Sequence, residues 1–169
     1  MPATISADRD MVLGELYAHR YRSLLGLAAL LLRDPESCED VVQEAFVRVY
    51  AAWPRIKDAE RADAYVRQTI VNLARSRLRR LAVASRHAPK PDPHGASAEE
   101  GAYKRFERDA VVQALRTLPR RQREAIALRY YGDMTQEQVA TAMKVSVGAV
   151  KGYISRGLDA LEVELEGVL

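Results

Sequence analysis

The chain has 169 residues and is 48% hydrophobic, which is enough for one ordinary domain or two small domains with apolar cores. Its formal net charge of +3 is too small to indicate a nucleic-acid partner by itself, and its single cysteine, Cys38, excludes an internal disulfide and a cysteine metal cluster. The N-terminus lacks the charged-then-apolar pattern of a secretion signal. The longest apolar run, residues 24–32, is far shorter than the roughly 18–20 residues that cross a bilayer. These features predict a soluble, cytoplasmic protein without membrane insertion.

Charge is segregated along the sequence. Residues 61–90 hold eight basic residues against Asp63, a net charge of +7, whereas residues 34–44 hold five acidic residues and no basic one, a net charge of −5. Two adjacent blocks of opposite sign favour one surface for an anion and another for a basic partner. The alternative is that these are ordinary solvated helix faces of a single sign.

The periodicity predicts helices throughout and indicates an all-α fold. A first helix is expected over residues 8–33, ending at Asp34-Pro35. A second helix follows, and we expect Pro54 to terminate it. Its apolar stripe comprises Cys38, Val41, Val42, Ala45, Phe46, Val49, Tyr50 and Trp53.

A polar loop, residues 55–63, is expected before a third helix over residues 62–81. In this helix Val66, Ile70, Leu73, Leu78 and Leu81 are expected to face inward. The polar and basic residues left largely outside are Gln68, Asn72, Arg75, Arg79 and Arg80.

Residues 83–102 break every periodicity, with prolines at 89, 91 and 93, and this composition is typical of a flexible linker. His87 and His94 fall within it without a nearby third ligand, so we expect solvent-exposed histidines and no metal site. The linker divides the chain into two small helical domains.

The second domain is expected to open with a helix over residues 103–118. Pro119 fits the first turn of the next helix, and Gly132 stands where a C-terminal cap is expected. The predicted core comprises Leu115, Leu118, Ile126, Leu128, Val139 and Val150.

Residues 133–161 have the pattern of a helix-turn-helix. Thr135 and Gln138 form a capping box, and Ser146 supplies the N-cap of a longer helix. The apolar residues of that helix are Val150, Ile154, Leu158, Leu161 and Leu165. Two helices so close cross steeply, which lets the second lie in a DNA major groove. The alternative is an ordinary helical hairpin with a solvated face. Lys144 stands at a turn position that needs positive φ and often carries glycine.

The motifs of common enzymes are absent from the sequence. It has no glycine-rich phosphate loop, no nucleophile–histidine set and no HExxH zinc motif. Its paired carboxylates fall on a predicted helix surface and in the predicted linker, without a pocket to shift their pKa. The sequence therefore predicts no enzyme, no catalytic residues and no cofactor.

Three segments in this order resemble bacterial RNA polymerase sigma factors of the sigma-70 family, in the extracytoplasmic-function (ECF) class. They are the acidic helix DPESCEDVVQEAFVRVYAAW, the basic helix AYVRQTIVNLARSRLRR, and the helix-turn-helix that follows LPRRQREAIALRYYGDMT. The resemblance covers roughly residues 10–165. It implies region 2 at residues 8–82, the linker at 83–102, and region 4 at 103–169.

The resemblance also implies partners and site residues. We expect docking on the β′ subunit of core RNA polymerase through Glu39, Asp40, Gln43 and Glu44. The factor would also contact the β subunit. We expect the minus-10 promoter element to be bound and opened by Arg55, Lys57, Arg61, Asn72, Arg75, Arg79 and Arg80. The loop at residues 55–61 would form a pocket for an unstacked base. Reading of the minus-35 element is expected of Ser146, Gly148, Lys151, Tyr153, Ser155 and Arg156. Promoter DNA and an anti-sigma factor are the remaining expected partners, and no ATP is needed.

Two other hypotheses remain open at this point. The first is a stand-alone helix-turn-helix regulator with an N-terminal interaction domain, which would bind duplex DNA as a dimer. The second is a helical adaptor protein that binds no DNA. A salt series separates the adaptor from the others, because binding to DNA releases counterions and depends steeply on salt.

Overall fold

The computed structural model describes residues 2–84, 104–105 and 109–167, with side chains from residue 7 onward. Three long helices come first: α1 (Pro2–Leu31), α2 (Pro35–Ile56) and α3 (Ala59–Ala84). The second part contains α4 (Ala110–Thr117), α5 (Arg120–Ile126) with a π-helical turn (Ala127–Tyr131), α6 (Gln136–Met143) and α7 (Val147–Glu166). The described residues thus confirm the all-α prediction. Residues 83 and 84 of the predicted linker belong to α3, and its residues 85–102, with His87 and His94, lie outside the described residues.

Helices α1, α2 and α3 pack on one another as an N-terminal bundle. The α2 stripe is buried as predicted at Cys38, Val41, Val42, Ala45, Val49 and Trp53, whereas Phe46 is half-buried and Tyr50 is exposed. From α3, Val66 and Ile70 complete the core, and from α1, Leu24 and Leu27 do so. The bundle thus has one continuous apolar centre.

Helix α2 begins at Pro35 and, contrary to the prediction, does not end at Pro54. The carboxylate of Asp34 accepts a hydrogen bond from the backbone N–H of Ser37 at 3.2 Å, and Pro35 occupies the first turn. Pro54 lies inside the helix, which continues to Ile56 and is capped by Lys57 in the left-handed conformation, with φ 53°. Proline is tolerated here because its missing N–H removes only one bond, within the last turn.

The predicted loop at residues 55–63 is also wrong. Only Lys57 and Asp58 separate α2 from α3, and the Asp58 carboxylate accepts from the N–H of Glu60 at 2.8 Å, which starts α3 at once. The two helices therefore meet in a tight corner. At its other end α3 runs three residues past the predicted limit, where Leu81 is 50% exposed rather than inward.

In the C-terminal domain, α4–α7, the helix predicted over residues 103–118 is interrupted at Asp109. Residues 104 and 105 are helical, but Asp109 is extended and its carboxylate accepts from the N–H of Val111 at 2.8 Å, so α4 starts at Ala110. Pro119 directly precedes α5. All six predicted core residues of this domain are buried.

Gly132 ends the π-helical turn for a steric reason. Its φ is −84°, so it does not use the left-handed region, which the next residue, Asp133, adopts with φ 51°. A Cβ on Gly132 would lie 2.6 Å from the backbone oxygen of Leu128. Glycine is thus required at the predicted position by close backbone approach.

The helix-turn-helix forms as predicted. Thr135 and Gln138 make the full capping box, Lys144 has φ 57°, and the Ser146 hydroxyl accepts from the N–H of Ala149 at 3.1 Å. One register differs: Gly157 is buried in α7, while Leu158 is 41% exposed. Gly157 faces Ile126 of α5, whose Cδ1 atom would lie 2.5 Å from an added Cβ. The missing side chain lets the two helices approach closely.

Within residues 2–84, 104–105 and 109–167, no helix is both long and apolar enough to span a bilayer.

Substitution of Gly132 should test the close approach. Gly132→Ala is expected to destabilise the protein by about 1–3 kcal/mol, because backbone atoms must move. Gly14→Ala is the matched control, since nothing lies within 4 Å of an added Cβ there, and it should stabilise mid-helix by about 0.5–1 kcal/mol. Urea unfolding followed by circular dichroism measures both. Equal stability of Gly132→Ala and the parent would contradict the steric account.

Burial raises the pKa of Cys38 to about 12, with nearby Asp34 adding to the shift. The folded thiol should therefore resist Ellman's reagent at pH 8 and react only when urea unfolds the chain. The unfolded thiol releases its proton near pH 9 while the folded thiol holds it, so stability should fall between about pH 9 and 12. Cys38→Ala should remove that part of the pH dependence. Rapid labelling of the folded protein would disprove the burial.

Candidate polymerase and nucleic-acid surfaces

The acidic face of α2 lies on the outside of the N-terminal bundle. Asp40, Gln43 and Glu44 are exposed and Glu39 is half-buried. Two of these side chains contact neighbouring helices: Asp40 lies 3.6 Å from Arg77 of α3, and Gln43 donates to the Tyr17 hydroxyl of α1 at 3.0 Å. The structure thus brings the four predicted polymerase-docking residues together on one helix.

An apolar patch continues this face toward the C-terminal end of α2. Val47 is 67% exposed and Tyr50 is 47% exposed, and the guanidinium of Arg9 lies 3.7 Å from the centre of the Tyr50 ring. The sequence periodicity placed Tyr50 in the core and gave no role to Val47. The α2 surface therefore combines charge with apolar area, as protein-binding faces do.

The residues predicted for the minus-10 element form two groups rather than one. Arg55, Lys57 and Arg61 are exposed at the tight α2–α3 corner. Asn72, Arg75, Arg79 and Arg80 lie on the C-terminal half of α3. Eighteen residues separate Arg61 from Arg79 on this helix, which is about 27 Å. The corner group cannot form the walls of the expected loop pocket, because that segment is helical on both sides of Lys57 and Asp58.

The second group borders a cleft of about 890 Å³ between α3 and the C-terminal domain. Asn72, Arg75 and Arg79 line one wall. The opposite wall includes Arg120, Arg121, Glu124 and Lys144. Arg80 borders a neighbouring cleft of about 600 Å³ beside Glu44 and Arg48 of α2. The first cleft carries five basic side chains and one acidic one, which suits an anionic ligand such as a nucleic-acid backbone.

Glu124 is the acidic residue of that cleft, and it is paired. Its Oε1 atom accepts from Nη2 of Arg75 at 2.7 Å, and its side chain is 11% exposed. The two residues are 49 positions apart. Their pairing links the N-terminal bundle to the C-terminal domain.

Three more arginines bridge the two parts by binding backbone carbonyls near the ends of helical segments. Arg116 donates to Ala29 O at 3.4 Å and Arg123 to Leu30 O at 3.2 Å, and both acceptors belong to the last turn of α1. In the other direction Arg67 donates to Gly132 O and to Asp133 O, directly after the π-helical turn. Carbonyls at the end of a helical segment lack a hydrogen-bond donor within that segment and carry its partial negative charge. A guanidinium supplies both a donor and a positive charge.

The surroundings of Arg123 disfavour its positive charge. Burial lowers the pKa of its guanidinium, and the neighbouring charges of Arg33, Arg120 and Arg116 lower it further. The carbonyls of Leu30, Arg116 and Leu118 accept its hydrogen bonds and offset the loss of water. No sequence pattern marks the interface residues Arg67, Arg116, Arg123 and Glu124, apart from the density of arginine around Pro119.

The predicted DNA-reading residues lie at the N-terminal half of α7. Ser146, Gly148, Lys151, Ser155 and Arg156 are exposed, while Tyr153 is half-buried. The Arg156 guanidinium lies 5.6 Å from the centre of the Tyr153 ring, within cation–π range. The structure thus places all six residues on one end of one helix. Among residues 2–84, 104–105 and 109–167, no cluster of three or more His, Cys, Asp or Glu side chains could hold a metal ion.

Comparison with known families decides what these surfaces belong to. Residues 16–83 match the model of "Sigma-70 region 2", and residues 108–161 match that of "Sigma-70, region 4". This chain is an ECF-class member of the sigma-70 family. As a sigma factor it associates with core RNA polymerase and recognises promoter DNA, and the stand-alone regulator and the adaptor are excluded.

Curated relatives and solved structures agree with this assignment. The sigma factor is 33% identical over 149 residues to the RNA polymerase sigma-E factor of Streptomyces avermitilis, covering 87% of this chain and 81% of that protein. It is 27% identical to the ECF RNA polymerase sigma-E factor of Escherichia coli K12, covering 77% of this chain and 74% of that protein.

Two solved structures share the fold of the sigma factor. Its fold is similar to that of RpoE from Bartonella quintana, solved with the anti-sigma factor NepR, with a TM-score of 0.61, 21% identity and 92% of each chain covered. It is also similar to CnrH, solved with the cytosolic domain of CnrY, with a TM-score of 0.59, 24% identity and coverage of 98% and 94%.

Proposed function

We propose that this sigma factor uses three helix surfaces, one for core polymerase and one for each promoter element. The α2 face of Glu39, Asp40, Gln43 and Glu44 docks on core polymerase through its β′ subunit, with further contacts to β. The basic residues of α3 bind the minus-10 element, and the N-terminal end of α7 reads the minus-35 element. The observation that carries this proposal is the grouping of the acidic set on α2, of Asn72, Arg75, Arg79 and Arg80 on the C-terminal half of α3, and of the minus-35 set at the N-terminal end of α7.

Opening of the duplex follows from strand binding in this proposal. Asn72, Arg75, Arg79 and Arg80 supply a basic track for the backbone of one separated strand, and the free energy of that binding offsets the cost of melting. Arg55, Lys57 and Arg61 contact phosphates farther along, at the helical corner, and no base pocket is assigned to them. The factor supplies binding energy only, so it needs no ATP or cofactor and carries no catalytic residue.

The remaining assignments concern organisation and regulation. Region 2 is proposed at residues 8–82, the linker at 83–102, and region 4 at 103–169, in a protein that acts in the cytoplasm. RpoE was solved with the anti-sigma factor NepR, and we extend a partner of this kind to this chain. A stable complex with a purified anti-sigma protein that blocks binding to core polymerase would support this extension.

The direct test is co-elution of the purified full chain with bacterial core RNA polymerase, followed by run-off transcription from the region upstream of its gene. Stable binding with new initiation is the expected result. Retained duplex binding without binding to core polymerase would overturn the proposed role of α2.

Charge reversal should test the docking face. Asp40→Lys with Glu44→Lys is expected to weaken binding to core polymerase by at least about tenfold, because like charges then face a basic partner. Glu162→Lys with Glu166→Lys is the matched control, with the same spacing on the exposed face of α7. Thermal unfolding should change little in either variant, since the exposed pairs they remove contribute about 0–1 kcal/mol. Equal affinities of the two variants for core polymerase would contradict the assignment.

A salt series should test the α7 surface. Lys151→Ala is expected to weaken binding to promoter duplex and to reduce the slope of log K against log salt by about 1 if Lys151 contacts a phosphate. Glu162→Ala, on the same helix but away from its N-terminal end, should leave the slope unchanged. Fluorescence anisotropy of holoenzyme on labelled promoter DNA gives both values. A parental slope for Lys151→Ala would remove this residue from the interface.

A further inference from the structure

The outward face of α7 has a gap at Gly152. This residue lies about 200° around the helix axis from the buried Val150, so it faces away from the core of the C-terminal domain. A Cβ added to Gly152 would lie 3.0 Å from Nη1, 3.4 Å from Nη2 and 3.5 Å from Cζ of Arg156. The guanidinium of Arg156 therefore occupies the space that a side chain at position 152 would fill.

The Arg156 side chain reaches this gap because long side chains on a helix lean toward its N-terminus, over the residue four positions earlier. Arg156 is the tenth residue of α7, about 14 Å along the axis from Val147. Its charged group lies about 6 Å nearer to the N-terminal end, where a recognition helix meets base edges. The glycine thus lets a residue of the third turn present its hydrogen-bond donors at the second turn.

Tyr153 borders the same gap. Its ring is half-buried and packs against the core, and the Arg156 guanidinium lies 5.6 Å from the ring centre, within cation–π range. In the part of the chain that the structure describes, no ion pair involves Arg156. The guanidinium is thus held by shape and by a ring, and no carboxylate competes for its five N–H donors.

We propose that Gly152 and Tyr153 are positioning residues that hold Arg156 for a bidentate contact with the O6 and N7 atoms of one guanine in the minus-35 element. This rests on the proposed reading of that element by α7. Guanine is the base that suits this group, because its major-groove edge presents two acceptors to the guanidinium fork. A guanidinium already held in place also loses less conformational freedom on binding. The missing side chain at position 152 therefore determines specificity through another residue.

The experiment uses holoenzyme, reconstituted from the full chain and core polymerase, to select promoter fragments from a pool randomised across the minus-35 element. The parent is expected to prefer guanine at one position by about 5- to 150-fold. Arg156→Ala should abolish that preference. Gly152→Val and Tyr153→Leu should reduce it by at least about threefold, because the first displaces the guanidinium and the second removes its ring. Tyr153→Phe should restore it, since the ring face remains.

A double-variant cycle separates positioning from a direct collision with DNA. Gly152→Val in the Arg156→Ala background should cause no further loss, because the guanidinium that it displaces is already absent. Gly152→Val should not lower the thermal stability either, since valine is more favourable than glycine inside a helix. Equal losses in the two backgrounds would mean that the valine itself touches DNA, and this result would overturn the proposal.

Two other results would also overturn it. The first is an unchanged guanine preference in Gly152→Val, and the second is uniform weakening across the pool in Arg156→Ala, which marks a phosphate contact. Lys151→Ala then shows whether the proposed function fails as well. Weaker binding of Lys151→Ala would keep α7 at the minus-35 element and reject the role of Arg156 alone. Parental binding of Lys151→Ala, with no base preference in the parent, would reject reading by α7 altogether.

Discussion

The third helix holds the molecule together because it is apolar on one side and basic on the other. Its buried residues, among them Val66, Ile70 and Val71, pack against both α1 and α2, so the bundle has one core rather than two helix pairs. Tight packing fixes the rotation of α3 about its axis. The positions of the arginines on its outer face are therefore fixed as well. The cleft, the bridge to the C-terminal domain and the proposed strand-binding track all depend on that rotation.

Local features of the chain were predictable from sequence because their causes are local. The α2 stripe, the Asp34 cap, the capping box of Thr135 with Gln138, and the Ser146 cap all depend on residues a few positions apart. Pro54 shows the limit of this reasoning. A proline was expected to stop α2, but one missing hydrogen bond near a helix end costs less than the burial of Trp53 and Ile56 provides.

Contacts between distant segments could not be predicted in this way. Arg75 and Glu124 are 49 residues apart, and each reads in the sequence as an ordinary charged residue of a surface helix. Gly157 likewise reads in the sequence as a residue that destabilises α7, whereas in the structure it makes room for Ile126. The sequence placed the candidate surfaces on their helices, and the structure added which of these surfaces face each other. The role of each predicted DNA-binding residue stays a prediction.

The π-helical turn at Ala127–Tyr131 sets the rotational phase of everything that follows it. A π turn accommodates one residue more than an α turn, and without the π turn that extra residue would rotate the following chain by about 100°. The helix-turn-helix would then present a different side to a DNA groove, although each of its own helices could keep its caps. The type of turn between Ile126 and Thr135 therefore acts as an angular coordinate for DNA recognition. A family of chains could change the aim of the same reading helix by exchanging the π turn for an α turn at the same chain length, without any substitution in the helix itself.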